Sequence, residues 1–254
     1  MEKEEYQKLH ELEDRLWWFA GMRAISLSLI ERFVPHASRL AILDVGCGTG
    51  GMMPHLERFG TVVGVDLSDR ALSFAKRREQ GKLVQAGLPS LPFASESFDL
   101  LTSFDVIYHR SVVDDVEALS EMARLLRPGG KLLLRIPAYD WLRGRHDHAV
   151  HTRHRYGKRE LREKLSRAGL EPSYLSHANC LLFPVAVAMR FAEGILNPKD
   201  GGSDVKEVSP LLNRLLTAVL RLEAAILRLW SLPFGLSLVA VAARRERQAM
   251  PFPE

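Results

Sequence analysis

The stretch Leu43–Gly51, LDVGCGTGG, decides how the rest of this chain is read. Leu40 to Leu43 is apolar and suits a buried strand, Asp44 falls at its carboxyl end, and Gly46, Gly48, Gly50 and Gly51 turn the chain towards a helix. Glycine is needed where a turn takes positive φ and where backbone amides must touch a ligand with no Cβ between. The pattern is that of a nucleotide-type site. It is not specific by itself, because Gly46, Gly48 and Gly51 also satisfy the dinucleotide spacing GxGxxG.

Working outward, the next apolar run, Thr61–Val65, ends at Asp66, twenty residues beyond Gly46, where a second parallel strand presents a carboxylate to ribose hydroxyls. NAD and other adenosyl cofactors both want that acid; Asp44 separates them. A carboxylate two residues ahead of the first glycine faces a diphosphate unfavourably, whereas it holds the ammonium end of a methionine moiety directly or through water. S-adenosylmethionine (SAM) has such an ammonium and no phosphate, so SAM is the expected cofactor and S-adenosylhomocysteine its product.

Four ordered motifs, LDVGCGTG, VVGVDLS, LPFASESFDLL and LLRPGGKLLL, resemble the class I SAM-dependent methyltransferases of the ubiquinone/menaquinone-biosynthesis type (type 11), over roughly Arg39 to Tyr174. The resemblance implies an α/β fold: a Rossmann-like, doubly wound seven-stranded sheet, parallel with an antiparallel last strand. It also implies an N-terminal helical lid (1–36) on a methyltransferase domain (37–254). The cofactor residues expected are Asp44, Gly46, Cys47, Gly48, Gly50, Asp66, Leu67, Gly87, Leu88, Phe104 and Arg23.

Length and composition agree. At 254 residues the chain can bury one sizeable core. Its start, MEKEEYQKLHELED, is charged and no apolar run reaches the roughly 20 residues of a bilayer span, so a cytoplasmic protein is expected. Cys47 and Cys180 are the two cysteines, one inside the glycine loop, which indicates no disulfide framework. The net charge of +4 is a mild excess.

Glu2 to Arg15 is helical in composition and leads into Trp17, Trp18 and Phe19. In the resembled subgroup a WWF sequence precedes an arginine and often follows a histidine; Leu16 stands in the histidine's place, Arg23 becomes the residue for the SAM carboxylate, and Trp18 faces the acceptor. Helices are expected at Met22–Phe33, Met52–Phe59, Arg70–Glu79 with a Ser68 or Asp69 cap, and Ser111–Leu126, and strands at Lys82–Ala86, Phe98–Phe104 and Lys131–Ile136. Many relatives carry an aspartate for the adenine amino group where this chain has Gly87, so backbone near Gly87 and Leu88 takes that task.

After the fifth strand comes PAYDWLRGRHDHAVHTRHRY (Pro137–Tyr156), a long connection where the acceptor should lie. From Arg143 to Arg167 there are nine arginines and lysines, four histidines and three acids. The resemblance implies an HD pair, a later histidine and a basic-basic-Tyr segment: His146-Asp147, His151 and Arg153–Tyr156, with His154 where an arginine is usual. A histidine suits removal of an acceptor proton. His146 or His151 is expected as base with Asp147 orienting it, and His109 in DVIYH as a second base; Tyr108, Arg153, Arg155 and Tyr156 complete the acceptor site. Roleless surface histidines, and a metal held by His146, Asp147 and His151, compete with this reading, and no metal is expected.

Strands at Leu170–His177 and Gly235–Ala243 should pair antiparallel around a helical insertion, 181–235, that walls the acceptor pocket. Pro210–Trp230 carries a stripe of Leu212, Leu215, Val219, Leu222, Ile226 and Leu229 opposite Arg214, Arg221 and Arg228. Packing of that stripe on the core or in a homodimer, and peripheral membrane contact, are both compatible. The function expected is methyl transfer, most readily to oxygen, on a small or lipid-linked, anionic acceptor, without nucleic acid. An NAD-dependent oxidoreductase, and a basic nucleic-acid or membrane-surface binder on a methyltransferase fold, are the alternatives.

Overall fold

The computed structural model describes residues 3–34, 39–78, 81–144, 147, 150–196 and 208–245. In chain order the elements are α1 (Lys3–Leu12), α2 (Trp17–Phe33), β1 (Leu40–Val45), α3 (Met53–Leu56), β2 (Gly60–Asp66), α4 (Asp69–Lys76), β3 (Lys82–Gln85), β4 (Phe98–Phe104), α5 (Asp115–Leu125), β5 (Leu126–Pro137), α6 (Lys158–Arg167), β6 (Leu170–Ala178), α7 (Phe183–Leu196), α8 (Pro210–Leu227) and β7 (Ser237–Arg244).

The apolar strands form one seven-stranded sheet in the order β3-β2-β1-β4-β5-β7-β6. β1 to β5 pair in parallel, and β7 runs antiparallel between β5 and β6. The expected doubly wound α/β sheet is therefore present. Its register sets Asp44 level with Gly64 on β2 and Thr102 on β4.

Alternate strand residues feed two cores. On one face Leu43, Leu101 and Leu134 meet Leu119 and Met122 of α5 and Leu161 and Leu165 of α6. On the other, Ile42, Leu100 and Leu133 meet α2 (Met22, Ile25, Leu29), α3 (Met53, Leu56) and α8 (Ala224, Leu227). Each fully buried aliphatic side chain contributes about 1.5–3 kcal/mol, so α2 is held as part of the core.

Helix starts follow local chemistry. Ser68 accepts the Ala71 N–H, and Asp114 accepts those of Val116 and Glu117. That cap moves the start of α5 to Asp115, four residues past the expected one. Helix α3 spans only four residues, shorter than the expected Met52–Phe59.

Helix α8 runs beside α2 in the same direction: Asn213 Oδ1 accepts the Trp17 N–H at 2.8 Å, Ser28 Oγ donates to the Ala224 carbonyl at 2.9 Å, and Arg32 donates to that of Leu227 at 3.3 Å. Gly21 makes this approach possible, since a Cβ there would stand 2.2 Å from Leu220 Cδ1. The buried side of α8 is Leu220, Glu223, Ala224 and Leu227. Of the stripe that suited the core, a homodimer or a membrane surface, Leu212, Leu215, Leu222 and Leu229 are exposed. The helix has two apolar faces; Glu223, buried as an acceptor of the Asn179 and Leu181 N–H groups, interrupts the inner one in sequence.

Candidate active site

The strand order reverses between β1 and β4, and in open α/β sheets the crevice beyond the strand ends at such a point receives the ligand. The glycine loop stands there, with φ of 76°, 56° and 81° at Gly46, Gly48 and Gly50, and is pinned by the Gly46 and Cys47 N–H groups donating to the Val65 carbonyl at 2.7 and 3.0 Å. The Cys47 side chain turns into the core against Gly64, and burial pushes its thiol well up. Only its backbone can serve a cofactor.

Asp44 is 2 % exposed and accepts from Thr102 Oγ1 at 2.7 Å, as the register dictates. Burial pushes its carboxyl up to about 6, against the Thr102 hydrogen bond, and Asp66 adds to the rise. No cation is paired with it among the described residues. A buried carboxylate in that condition fits the ammonium end of SAM and repels a diphosphate. Asp66 accepts the N–H of Gly48 on one oxygen and of Ser68 on the other, both at 2.9 Å, which leaves lone pairs for ribose hydroxyls; burial raises its pKa.

Leu67 is 59 % exposed and faces Gly87, where a Cβ would come within 3.0 Å of Leu67 Cδ1. Together with Leu88, which packs at the edge of one core, these residues offer an apolar slot for a base with no acid in it. Phe104 is half-buried under the Arg135 guanidinium, 4.9 Å from the ring centre, and Arg135 pairs with Asp105 at 2.6 Å.

Sequence reading missed the face of α1. Tyr6, His10 and Glu13 recur at helical spacing: Tyr6 lies against Ser68 and Asp66, His10 packs on Phe74 with ring centres 5.2 Å apart, and Glu13 accepts from Thr49 Oγ1 at 2.7 Å and Arg78 at 2.6 Å. The i, i+4, i+7 pattern was a usable signal. Arg23 donates to the Glu13 carbonyl at 3.2 Å and so gathers at the same end of the loop, while Trp18 is half-buried against the α2 side of the core.

The connection after β5 is folded back on the segment after β4. The Arg153 N–H donates to the Tyr108 carbonyl at 2.8 Å and the Arg110 N–H to that of His151 at 3.1 Å, which brings the His109 and His151 rings edge to face with centres 5.8 Å apart. His109 Nδ1 accepts the Ser111 N–H at 3.1 Å, and burial lowers its pKa. His146 lies outside the described residues.

Several side chains expected at the acceptor are committed elsewhere. Asp147 holds Arg155 through two bonds of 2.8 and 2.9 Å and accepts the Gly144 N–H at 2.7 Å. Burial raises its pKa, but Arg155 and Gly144 outweigh burial and hold the carboxyl below its usual range. Among the described residues its partner is a guanidinium rather than an imidazole. Arg153 and Lys164 both pair with buried Asp115, and the Tyr156 hydroxyl donates to the same carboxylate at 3.0 Å. Tyr156 is fully buried and Tyr108 nearly so, with burial raising both phenols. These residues close the connection onto α5 and α6. Accordingly Tyr156→Phe should lower stability to urea by about 1.5 kcal/mol, the loss of one hydrogen bond to a carboxylate that keeps its two cations, with turnover unchanged. Unaltered stability with a raised KM would return the hydroxyl to the acceptor.

Beyond the ends of β5 and β6 an aromatic group was also unforeseen. Tyr139 stacks on His177 (5.2 Å, 15°), and Phe183 meets Tyr139, Trp141 and Phe234 at 5.8, 6.4 and 5.4 Å. His177 is buried, and neither ring nitrogen has a hydrogen-bond partner among the described residues.

Residues 43–134 match the family described as "Methyltransferase domain". Among curated proteins, a demethylmenaquinone methyltransferase of Clavibacter sepedonicus is 35% identical over 127 residues, 48% of this chain and 47% of the relative. A probable tRNA methyltransferase 9B of Homo sapiens is 30% identical over 139 residues, 54% of this chain and 30% of the relative. The chain thus spans about half or less of these relatives' length. Among solved structures, a complex between the Haloferax volcanii Trm112 methyltransferase activator and a putative methyltransferase aligns with TM-score 0.64 at 20% identity, covering 98% of this chain and 96% of that one. Geranyl diphosphate C-methyltransferase of Streptomyces coelicolor aligns with TM-score 0.58 at 16% identity, covering 86% and 77%. At such identities the structural likeness speaks for the fold.

Proposed function

We propose, from the premise that residues 43–134 belong to the class I SAM-dependent methyltransferases, that this protein moves a methyl group to the oxygen of a small molecule with a flat or apolar part. The observation that carries the reading is the pair of strand-end carboxylates, buried Asp44 and half-buried Asp66, on either side of a glycine loop at the switch point. Bound SAM supplies an electrophilic methyl on a sulfonium with a good leaving group. The protein's part is then alignment and proton removal.

Of the paired histidines, His151 is the base. Ser111 engages His109 Nδ1 through its N–H at 3.1 Å and its hydroxyl at 2.8 Å, and with that nitrogen accepting, the neutral ring carries its proton on Nε2 and donates. His109 therefore orients the acceptor oxygen, and His151 takes the hydroxyl proton as the oxygen–methyl bond forms. The aromatic group around Tyr139 and Phe183 would hold the acceptor's flat portion, with His177 offering a hydrogen bond to it.

A nucleic-acid acceptor fits less well, because much of the basic segment is neutralised internally: Arg153 and Lys164 by Asp115, Arg155 by Asp147, Arg159 by Glu163 and Arg143 by Asp140. The cofactor half is tested first. Asp66→Ala should weaken SAM binding by about 1.5–3 kcal/mol, the loss of a charged acceptor. Calorimetry that finds SAM binding unchanged in that variant removes Asp66 from the site, and wild-type binding of NADH in place of SAM would sink the whole reading.

A further inference from the structure

Helix α8 is apolar on two opposite sides, and nothing in the described chain covers the second. Leu211, Leu215, Leu222 and Leu229 are 80, 59, 59 and 63% exposed, with Ala218 and Ala225 exposed between them. Steps of four and three residues keep all six on one narrow stripe, and Trp230, 66% exposed, stands at its end. Arg214, Arg221 and Arg228 follow every seven residues along one flank. Arg228 reaches Glu31 at 3.4 Å, whereas Arg214 and Arg221 meet no acid among the described residues. The helix's own acid, Glu223, is buried on the other side.

A lone exposed leucine needs no explanation, but an unbroken stripe of them does. A second copy of the chain is a poor occupant. Stripe-to-stripe pairing about a two-fold axis with the helices antiparallel sets one arginine row against the other. With the helices parallel, each row meets the partner's leucine and tryptophan edge, which has no acid. A bilayer bearing anionic phospholipid satisfies all three features at once, taking the leucines among its acyl chains, the arginines at its phosphates and the indole at the polar boundary. We infer that the outer face of α8 docks this protein on an anionic phospholipid surface, with the helix lying in the plane of the interface. None of the described helices is long and apolar enough to cross a membrane, so the contact is peripheral. The inference stands apart from the identity of the methyl acceptor.

The test uses the full chain and flotation with vesicles of phosphatidylcholine alone or mixed with phosphatidylglycerol. The protein should rise with the anionic vesicles and remain behind with the neutral ones. Arg214→Glu with Arg221→Glu should lower the bound fraction about tenfold or more, and Leu215→Ser with Leu222→Ser should do the same. Both pairs are exposed, so melting by circular dichroism and SAM calorimetry should match the wild type and separate lost docking from lost folding. Failure to float with anionic vesicles overturns the inference. So does equal binding to neutral ones, or a dimer by light scattering that Leu215→Ser with Leu222→Ser dissociates.

Discussion

His151→Asn should reduce turnover about 10²–10⁴-fold while SAM affinity stays nearly unchanged, the signature of a lost general base. Asparagine is the right replacement because His151 sits at φ 55°, a left-handed conformation that asparagine accepts and alanine resists, so the loop keeps its shape when the imidazole goes. The companion variant His109→Gln retains an N–H donor and should cost far less. The contrast follows from one hydrogen bond: Ser111 holds the His109 lone pair, so the proton of the acceptor goes to the other ring of the pair. If His151→Asn turns over near the wild-type rate while His109→Gln is dead, the roles are reversed and the Ser111 contact does not persist with acceptor bound. If both retain near-full turnover, the base is elsewhere, with His146 the next residue to substitute. Loss of SAM binding in either variant would make the pair a support for the cofactor.

Much of the scaffold was legible in sequence because it rests on short-range signals. Apolar runs ending at Asp44, Asp66 and Phe104 mark strand ends, and glycines at fixed offsets mark the loop; both depend on neighbours a few residues apart. The acceptor side was read less well for a physical reason. Whether a basic side chain faces ligand or protein depends on partners remote in sequence. Arg153 finds Asp115 thirty-eight residues earlier, and Tyr156 reaches the same carboxylate across forty-one, so a segment that looks strongly cationic on paper is partly compensated in three dimensions. Helix α8 poses a different problem. Both its faces are apolar, and periodicity alone cannot say which meets the core when a buried glutamate interrupts the inner one.

Asp44→Asn should produce opposite changes in stability and cofactor binding. The carboxyl is raised from 3.8 in its free form to about 6 by burial. A group raised in the folded state adds stability that is complete below about pH 3.8 and is lost as the pH climbs through about 6. At neutral pH the ionised Asp44 therefore weakens the ligand-free fold by about 3 kcal/mol, and an amide, which still accepts from Thr102 and carries no charge, recovers up to that amount. The same substitution removes the partner for the ammonium of SAM. Affinity should fall by about 3 kcal/mol, a factor of about a hundred, because cofactor binding no longer relieves a buried, uncompensated charge. Wild-type affinity should also rise with pH up to about 6, with proton release on binding below it, and level off above, whereas the variant's should be flat. Denaturation without ligand and calorimetry across that range read both effects. An Asp44→Asn protein that binds SAM as tightly as the wild type with the same pH profile would place the ammonium elsewhere, and one that is also less stable without ligand would show that Asp44 is held by a counter-charge in the folded protein.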